Sequence, residues 1–278
     1  MREVMAVEPG WQEMSGRWFG GGYDELGMDV TLVRVGGGAM IAGVSQRGLR
    51  TGAETEVTIF GANLPVGAAP SALDFGPGVS VVSVGRSTAE ELAVRVRVDA
   101  NAAHGIRDLA IGGTSLRDAV AVYDQVSRIK VLPQAGMARV GGVVFPKQLQ
   151  QFDAVAINDG DDGKPDTADD LLLGPVDVTW SLEEYVVTYD DEDVKYVGAL
   201  DAHGLFTPNI DGPNDARPGR RNNVGDVWVV ATLAAPAAGG KPLRGRAHLL
   251  VTVPLYMRWD RSGPAGATAG PKTGPGTP

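Results

Sequence analysis

The sequence predicts an all-β protein: two tandem β sandwiches preceded by part of a further β unit. Three observations carry this. Residues 92–98 alternate without a break, with Leu92, Val94, Val96 and Val98 on one phase and Ala93, Arg95 and Arg97 on the other. That is the pattern of a strand with one buried face. Turn residues recur about every 10–12 positions through most of the chain, the spacing of sandwich strands. Glycine is abundant, at 39 of 278 residues, while aromatics make up only 6%, which suits short strands joined by turns better than a helical core.

The first unit, residues 1–40, has one clear strand at 29–35, preceded by the run SGRWFGGGYDELG. One or two strands cannot enclose a core, so this stretch reads as the end of a domain. Its Trp11, Trp18, Phe19 and Tyr23 are residues that want burial. The second unit, residues 41–124, holds strands at 55–60, 79–84, 92–98, 107–111 and 119–123, enough for a sandwich. The third, residues 125–258, holds strands at 152–157, 176–180, 194–197, 226–232 and 248–253. In 176–180, Val176, Val178 and Trp180 share one face. Trp180 and Trp228 are both assigned to the core by strand phase. Residues 259–278, rich in Gly, Pro, Thr and Ala, carry too little apolar surface to offset ordering entropy and are expected to be disordered.

Composition excludes several function classes. The net charge of −9 and pI near 4.9 argue against nucleic acid, whose phosphates need clustered Lys and Arg, and against an anionic membrane surface. No apolar run approaches the ~18 residues of a membrane-spanning helix. The opening MREVMAVEPGWQEM lacks the apolar stretch of a signal peptide. There is no cysteine, so this chain offers no disulfide, thiolate metal site, cysteine nucleophile or C-x-x-C-H haem attachment.

The sharpest chemical candidate is the loop 158–170. Asp159, Asp161, Asp162, Asp166 and Asp170, with Asp169 beside them, alternate with Gly160 and Gly163. Calcium takes 6–8 hard oxygen ligands, and a flexible aspartate-rich loop can supply them. The spacing is not that of an EF-hand: counted from Asp159, the position that demands glycine is Lys164. Two readings stand at this point, a looser calcium loop and a solvated acidic hairpin loop.

No catalytic constellation accompanies it. His104, His203 and His248 have no ligand spacing. There is no G-x-S-x-G nucleophile setting. The glycines at 36–38 and 141–142 lack the following helix of a phosphate loop. Glu183 and Glu184 are adjacent and project to opposite faces of a strand, which does not suit a paired-carboxylate site. Arg217, Arg220 and Arg221, beside Asp211 and Asp215, read either as a partner-docking patch or as a charged surface loop.

Several phrases carry a family resemblance. GAETEVTIFGANL followed by FGPGV resembles the IPT/TIG class of immunoglobulin-like domains, and VTWSLEE with VGALDAHGLFTP resembles bacterial immunoglobulin-like domains. The order SGRWF, AGMARVGG, FPKQLQQFDAV, the acidic loop, LGPVDVTWSLEEY, GLFTP and RNNVGDVWVVAT resembles the α subunit of quinohaemoprotein amine dehydrogenase over nearly the whole chain except the tail. The resemblance implies two immunoglobulin-like domains preceded by the remnant of a β-barrel domain. It implies a periplasmic complex that oxidises primary amines, with a β-propeller subunit and a small quinone-bearing subunit as partners. The family's haem c and cysteine tryptophylquinone belong to parts this chain does not match, so no catalytic or cofactor-binding residue carries over. The expected role is structural: holding the haem domain against the partner subunits. A free-standing periplasmic or extracellular binding module, stabilised by calcium, is the alternative.

Overall fold

The computed structural model describes residues 1–20, 26–185, 192–234 and 240–254. Those residues are all-β, with only three short 3-10 turns. The chain opens on a three-stranded antiparallel meander, β1 (Arg2–Val7), β2 (Glu13–Phe19) and β3 (Gly27–Val33). The sequence reading placed one strand here, at 29–35, and missed β1 and β2. Arginine, serine and glycine interrupt their apolar alternation, so period 2 is weak. The register restores it across strands. Val7, Met14 and Leu32 share one row, and Met5, Gly16 and Val30 the next. Phe19 is buried, whereas Trp11 is 73% exposed. Tyr23 lies outside the described residues.

The first sandwich follows as β4 (Met40–Val44), β5 (Gly48–Arg50), β6 (Glu54–Ala62), β7 (Leu73–Asp74), β8 (Val79–Ser87), β9 (Glu91–Val98), β10 (Gly105–Ile111) and β11 (Thr114–Tyr123). One sheet runs β4-β6-β9-β8 and the other β5-β11-β10-β7. The alternation in β9 does what its pattern requires: Leu92, Val94, Val96 and Val98 are all buried, opposite Val57 and Ile59 of β6. Leu109, Ile111, Val120 and Val122 close the core from the second sheet.

The second sandwich comprises β12 (Arg128–Leu132), β13 (Ala135–Arg139), β14 (Gln150–Gln151), β15 (Asp153–Asn158), β16 (Leu171–Pro175), β17 (Thr179–Glu184), β18 (Gly198–Leu200), β19 (Leu205–Pro208), β20 (Gly225–Leu233) and β21 (Leu243–Thr252). Its sheets are β12-β15-β16, β13-β21-β20-β17 and the small β14-β19-β18. Phe152, Phe206, Val227, Val229 and Leu249 are fully buried at its centre.

Three expectations from the sequence fail in this unit, two strand placements and one face assignment, each for a physical reason. Residues 176–178 are not a strand. Pro175 ends β16 in one sheet, and the chain crosses to pair again from Thr179 in the other, so the backbone between them has no ladder. Val176 and Val178 still pack on the core from this extended crossing. Residues 194–197 are not a strand: Val194 and Lys195 belong to a 3-10 turn, Asp193–Lys195, entered through Glu192 in the left-handed region at φ 46°, and Tyr196 and Val197 continue it as turn and bend. Trp228 is not a core residue. Val227, Val229 and Ala231 point inward, so Trp228 projects from the outer face of its sheet. The run DVWVVAT is apolar on both phases, which left the face undetermined. Trp180 does pack against the core, partly buried, with its ring over Gly204.

Candidate functional site: the junction and the acidic loop

Strand β11 serves two cores at once. Val120 and Val122 face the first, while Ala121 and Tyr123 face the second. A period-2 strand can do this only where both of its faces are covered, so the two sandwiches are packed together rather than strung on a free linker. Polar bonds fix the same seam. Arg47 Nε donates across it to the Leu172 carbonyl at 3.0 Å, while within the first sandwich Arg50 Nε holds the Asp124 carbonyl at 3.0 Å. Asn158 Nδ2 donates to Asp124 Oδ1 at 3.1 Å and to the Gln125 carbonyl at 3.0 Å. Gly48 gives the strands room to approach: a Cβ there would stand 3.1 Å from the Leu173 carbonyl oxygen. A cleft of about 270 Å³ remains beside the seam, lined in part by Arg47, Tyr123 and Leu173. Burial pushes the Tyr123 hydroxyl above the usual phenol range, against the lowering field of Arg50.

The acidic loop connects β15 to β16 beside this seam. Arg128, the first residue of β12, lies opposite Ile157 of β15, so its guanidinium reaches the loop's mouth. Nε donates to Asp159 Oδ1 at 2.5 Å, Nη1 to Asp166 Oδ1 at 3.3 Å, and Nη2 to Asp170 Oδ2. Partial burial alone would lower the arginine's pKa. The hydrogen bond to Asp159 and the fields of Asp159, Asp166 and Asp170 outweigh it and hold the guanidinium above its ordinary range.

The remaining aspartates are committed elsewhere. Asp169 Oδ2 accepts the backbone N–H of Asp161 at 2.8 Å and of Asp162 at 3.2 Å, and its Oδ1 accepts the Thr167 hydroxyl at 2.8 Å. The Thr167 bond, with the backbone bonds, holds the Asp169 carboxyl below the usual range. Asp162 Oδ1 accepts Lys164 N–H at 2.8 Å. Asp161 is exposed, with His104 Nδ1 of the first sandwich 3.9 Å away. Gly160, at φ +62°, leaves space that a Cβ would take from the Asp169 carboxylate.

Of the five aspartates proposed from sequence as calcium ligands, Asp159, Asp166 and Asp170 therefore converge on Arg128, while Asp161 and Asp162 turn away. Among the described residues no group of three or more His, Asp or Glu is arranged to hold a metal ion. Sequence reasoning missed Arg128 because it lies 31 residues before Asp159; the one available signal was an arginine opening a strand near an acidic run.

The basic cluster of the sequence divides. Arg217 is neither a docking residue nor a surface residue: its side chain is 2% exposed and paired with Asp193. Its Nη1 donates to the carbonyls of Asn222 and Val224, both at 2.6 Å, and Asp193 Oδ2 accepts Asp226 N–H at 3.0 Å. Arg220 is exposed and paired with Asp215. Glu183 and Glu184 do take opposite faces. Glu183 pairs with Arg244, and Glu184 accepts the N–H of Val194 at 3.1 Å. His203 is exposed on the turn that follows Asp201.

Fold and junction together define a tandem β-sandwich protein whose two units share one strand's two faces. Residues 39–124 match the family model described as quinohemoprotein amine dehydrogenase, alpha subunit domain III, and residues 129–263 match alpha subunit domain IV. The chain belongs to the quinohemoprotein amine dehydrogenase alpha subunit family and carries these two of its β domains. A search of curated proteins finds no match. Among solved structures, the chain is similar to human mucin-like protocadherin EC1-2, at 17% identity and TM-score 0.27, covering 76% of this chain and 98% of that one. It is also similar to mouse cadherin-23 EC22-24, at 15% identity and TM-score 0.26, covering 87% and 74%. Domains 5-6 of the S-layer protein SbsC align at 18% identity and TM-score 0.26, covering 78% and 99%. No conclusion below rests on these three.

The chain has no cysteine, so it offers no thioether attachment for a c-type haem. Among the described residues no helix is long and apolar enough to cross a membrane.

Proposed function

We propose that this chain is a rigid, non-catalytic scaffold of an amine dehydrogenase α subunit, holding the haem-bearing part of the complex against the partner subunits. The observation that carries the reading is the junction. β11 is buried on both faces, and Arg47 and Asn158 tie one sandwich to the other. A spacer that sets distances between redox partners must not flex, and a strand packed into both cores, with polar bonds across the seam, is how two sandwiches resist flexing. The acidic loop serves this purpose with Arg128 as its cation. Calcium would have to compete with that guanidinium for Asp159, Asp166 and Asp170.

The reading brings the family's setting with it: a periplasmic complex with a β-propeller subunit and a small quinone-bearing subunit. Co-expression with the haem-, propeller- and quinone-bearing polypeptides of one complex tests it. The expected result is a stable assembly that oxidises a primary amine, no activity from this chain alone, and collapse of the assembly when this chain is omitted. A full, active assembly without it would contradict the reading.

A further inference from the structure

The outward face of the sheet β13-β21-β20-β17 carries a cluster that packing of the scaffold does not use up. Register sets Trp228 opposite both Glu183 and His248, and Val230 opposite Arg246. These side chains therefore project away from the core residues Val227 and Val229. Tyr185, just past β17, has its ring 4.7 Å from that of Trp228 and 4.2 Å from that of His248. The Arg246 guanidinium lies 4.2 Å over the Trp228 ring. Two of the basic side chains here are already partnered: Arg244 pairs with Glu183, and His248 Nε2 lies 2.8 Å from Asp226 Oδ1. Arg246 differs. It is exposed, lies over the Trp228 ring, and has no ion-pair or side-chain hydrogen-bond partner among the described residues.

We propose that this face docks an acidic segment of a partner protein, with Arg246 taking a carboxylate and Trp228 and Tyr185 packing beside it. An arginine held over an aromatic ring has its planar fork of N–H donors partly pre-organised, and that fork matches a carboxylate. Trp, Tyr and Arg are the side chains that concentrate binding energy at interfaces. The chain's net charge of −9 opposes close approach of polyanionic nucleic acid or a second copy over a broad surface. A short acidic segment avoids most of that charge and meets Arg246, the carboxylates beside it, Glu183 and Asp226, being already engaged by Arg244 and His248. The proposal rests on the scaffold reading, since a scaffold needs a face that grips its neighbour.

The test uses the full ¹⁵N-labelled chain and a blocked peptide of alternating glutamate and leucine, with the glutamine-for-glutamate peptide as control. The expected result is that the glutamate peptide shifts the Trp228 indole N–H and Arg246 Nε–H resonances, the control does not, and Arg246→Gln weakens the response at least about fivefold with the backbone spectrum otherwise unchanged. No response at millimolar peptide, or equal response to the control, overturns the proposal. So does a response to an oligophosphate alone, or concentration-dependent shifts of the same resonances without peptide, which would make the occupant a second copy. The scaffold reading is tested without peptide, by assembly and by inter-sandwich alignment, so failure of this face leaves it standing.

Discussion

Arg128 and Asp159 are joined end to end, Nε to Oδ1 at 2.5 Å, across the mouth of the acidic loop. Their side chains are 22% and 15% exposed, so the pair is largely withdrawn from water. Removing one partner of such a pair leaves the other charge stranded, which costs about 3–5 kcal/mol when burial is complete. Arg128→Met should therefore destabilise the second sandwich by about 2–4 kcal/mol after allowance for residual solvent. Urea denaturation measures it, and an unmoved midpoint would show that the carboxylates tolerate one another without the guanidinium.

Any calcium bound at this loop would have to compete with Arg128 for Asp159, Asp166 and Asp170. A ligand that binds only the native state raises its stability by mass action. The wild-type melting temperature should be the same in millimolar calcium and in excess chelator, while Arg128→Ala should gain an upward shift with calcium. An upward shift in the wild type would mean that Asp159, Asp166 and Asp170 take the ion and release the arginine.

Asp201 closes the turn between β18 and β19 by accepting the N–H groups of Leu205 at 2.9 Å and His203 at 2.8 Å. Those two bonds hold its carboxyl below the usual range. A depressed folded-state pKa means that the unfolded chain takes the proton more readily. The stabilisation is complete above the ordinary aspartate value of about 4 and is lost as pH falls through the lower folded value. Asp201→Asn should flatten stability against pH in that acid window, with Asp169 still contributing in the same direction. Equal acid slopes in wild type and variant would show that Asp201 titrates alike in both states.

Gly225 makes room for the buried pair of Arg217 and Asp193, since a Cβ at 225 would overlap the Asp193 carboxylate. Gly225→Ala and Arg217→Met should each cost about 3–5 kcal/mol. The double variant should cost much less than their sum, because both disrupt one interaction. A thermodynamic cycle by chemical denaturation checks this, and simple additivity would separate the glycine from the ion pair.

The two tryptophans of the second sandwich should behave differently. Trp180 packs on the core over Gly204, so Trp180→Ala should cost about 2–4 kcal/mol, below the range for a fully buried ring. Trp228 lies on the outer face, and Trp228→Ala should cost about 1 kcal/mol, mainly lost contact with Tyr185 and Arg246. Denaturation midpoints that rank them the other way would reverse the assignment of faces.

What was legible in the sequence follows from how locally each feature is determined. β9 was clear because one face is buried and the other wet, so four apolar residues alternate with polar ones. β20 was legible as a strand but not as to face, because Val230 on the outward phase is buried as well. β1 and β2 were hidden because their apolar rows form only when three strands are set in register. The turn at Asp193–Lys195 and the crossing at 176–178 were read as strands because β-branched residues pack there without a ladder partner. The aspartates were conspicuous, but their cation was not: Arg128 reaches them only through the pairing of β12 with β15. A separation of 24 residues likewise hid the partnership of Arg217 with Asp193.

The central claim is that the two sandwiches move as one body. Residual dipolar couplings on the full ¹⁵N-labelled chain test it most directly, by giving an alignment tensor for residues 39–124 and another for residues 129–254. The account predicts a single shared tensor, equal in magnitude and orientation across both. Tensors that differ in magnitude, the mark of independently moving domains on a flexible linker, would contradict it.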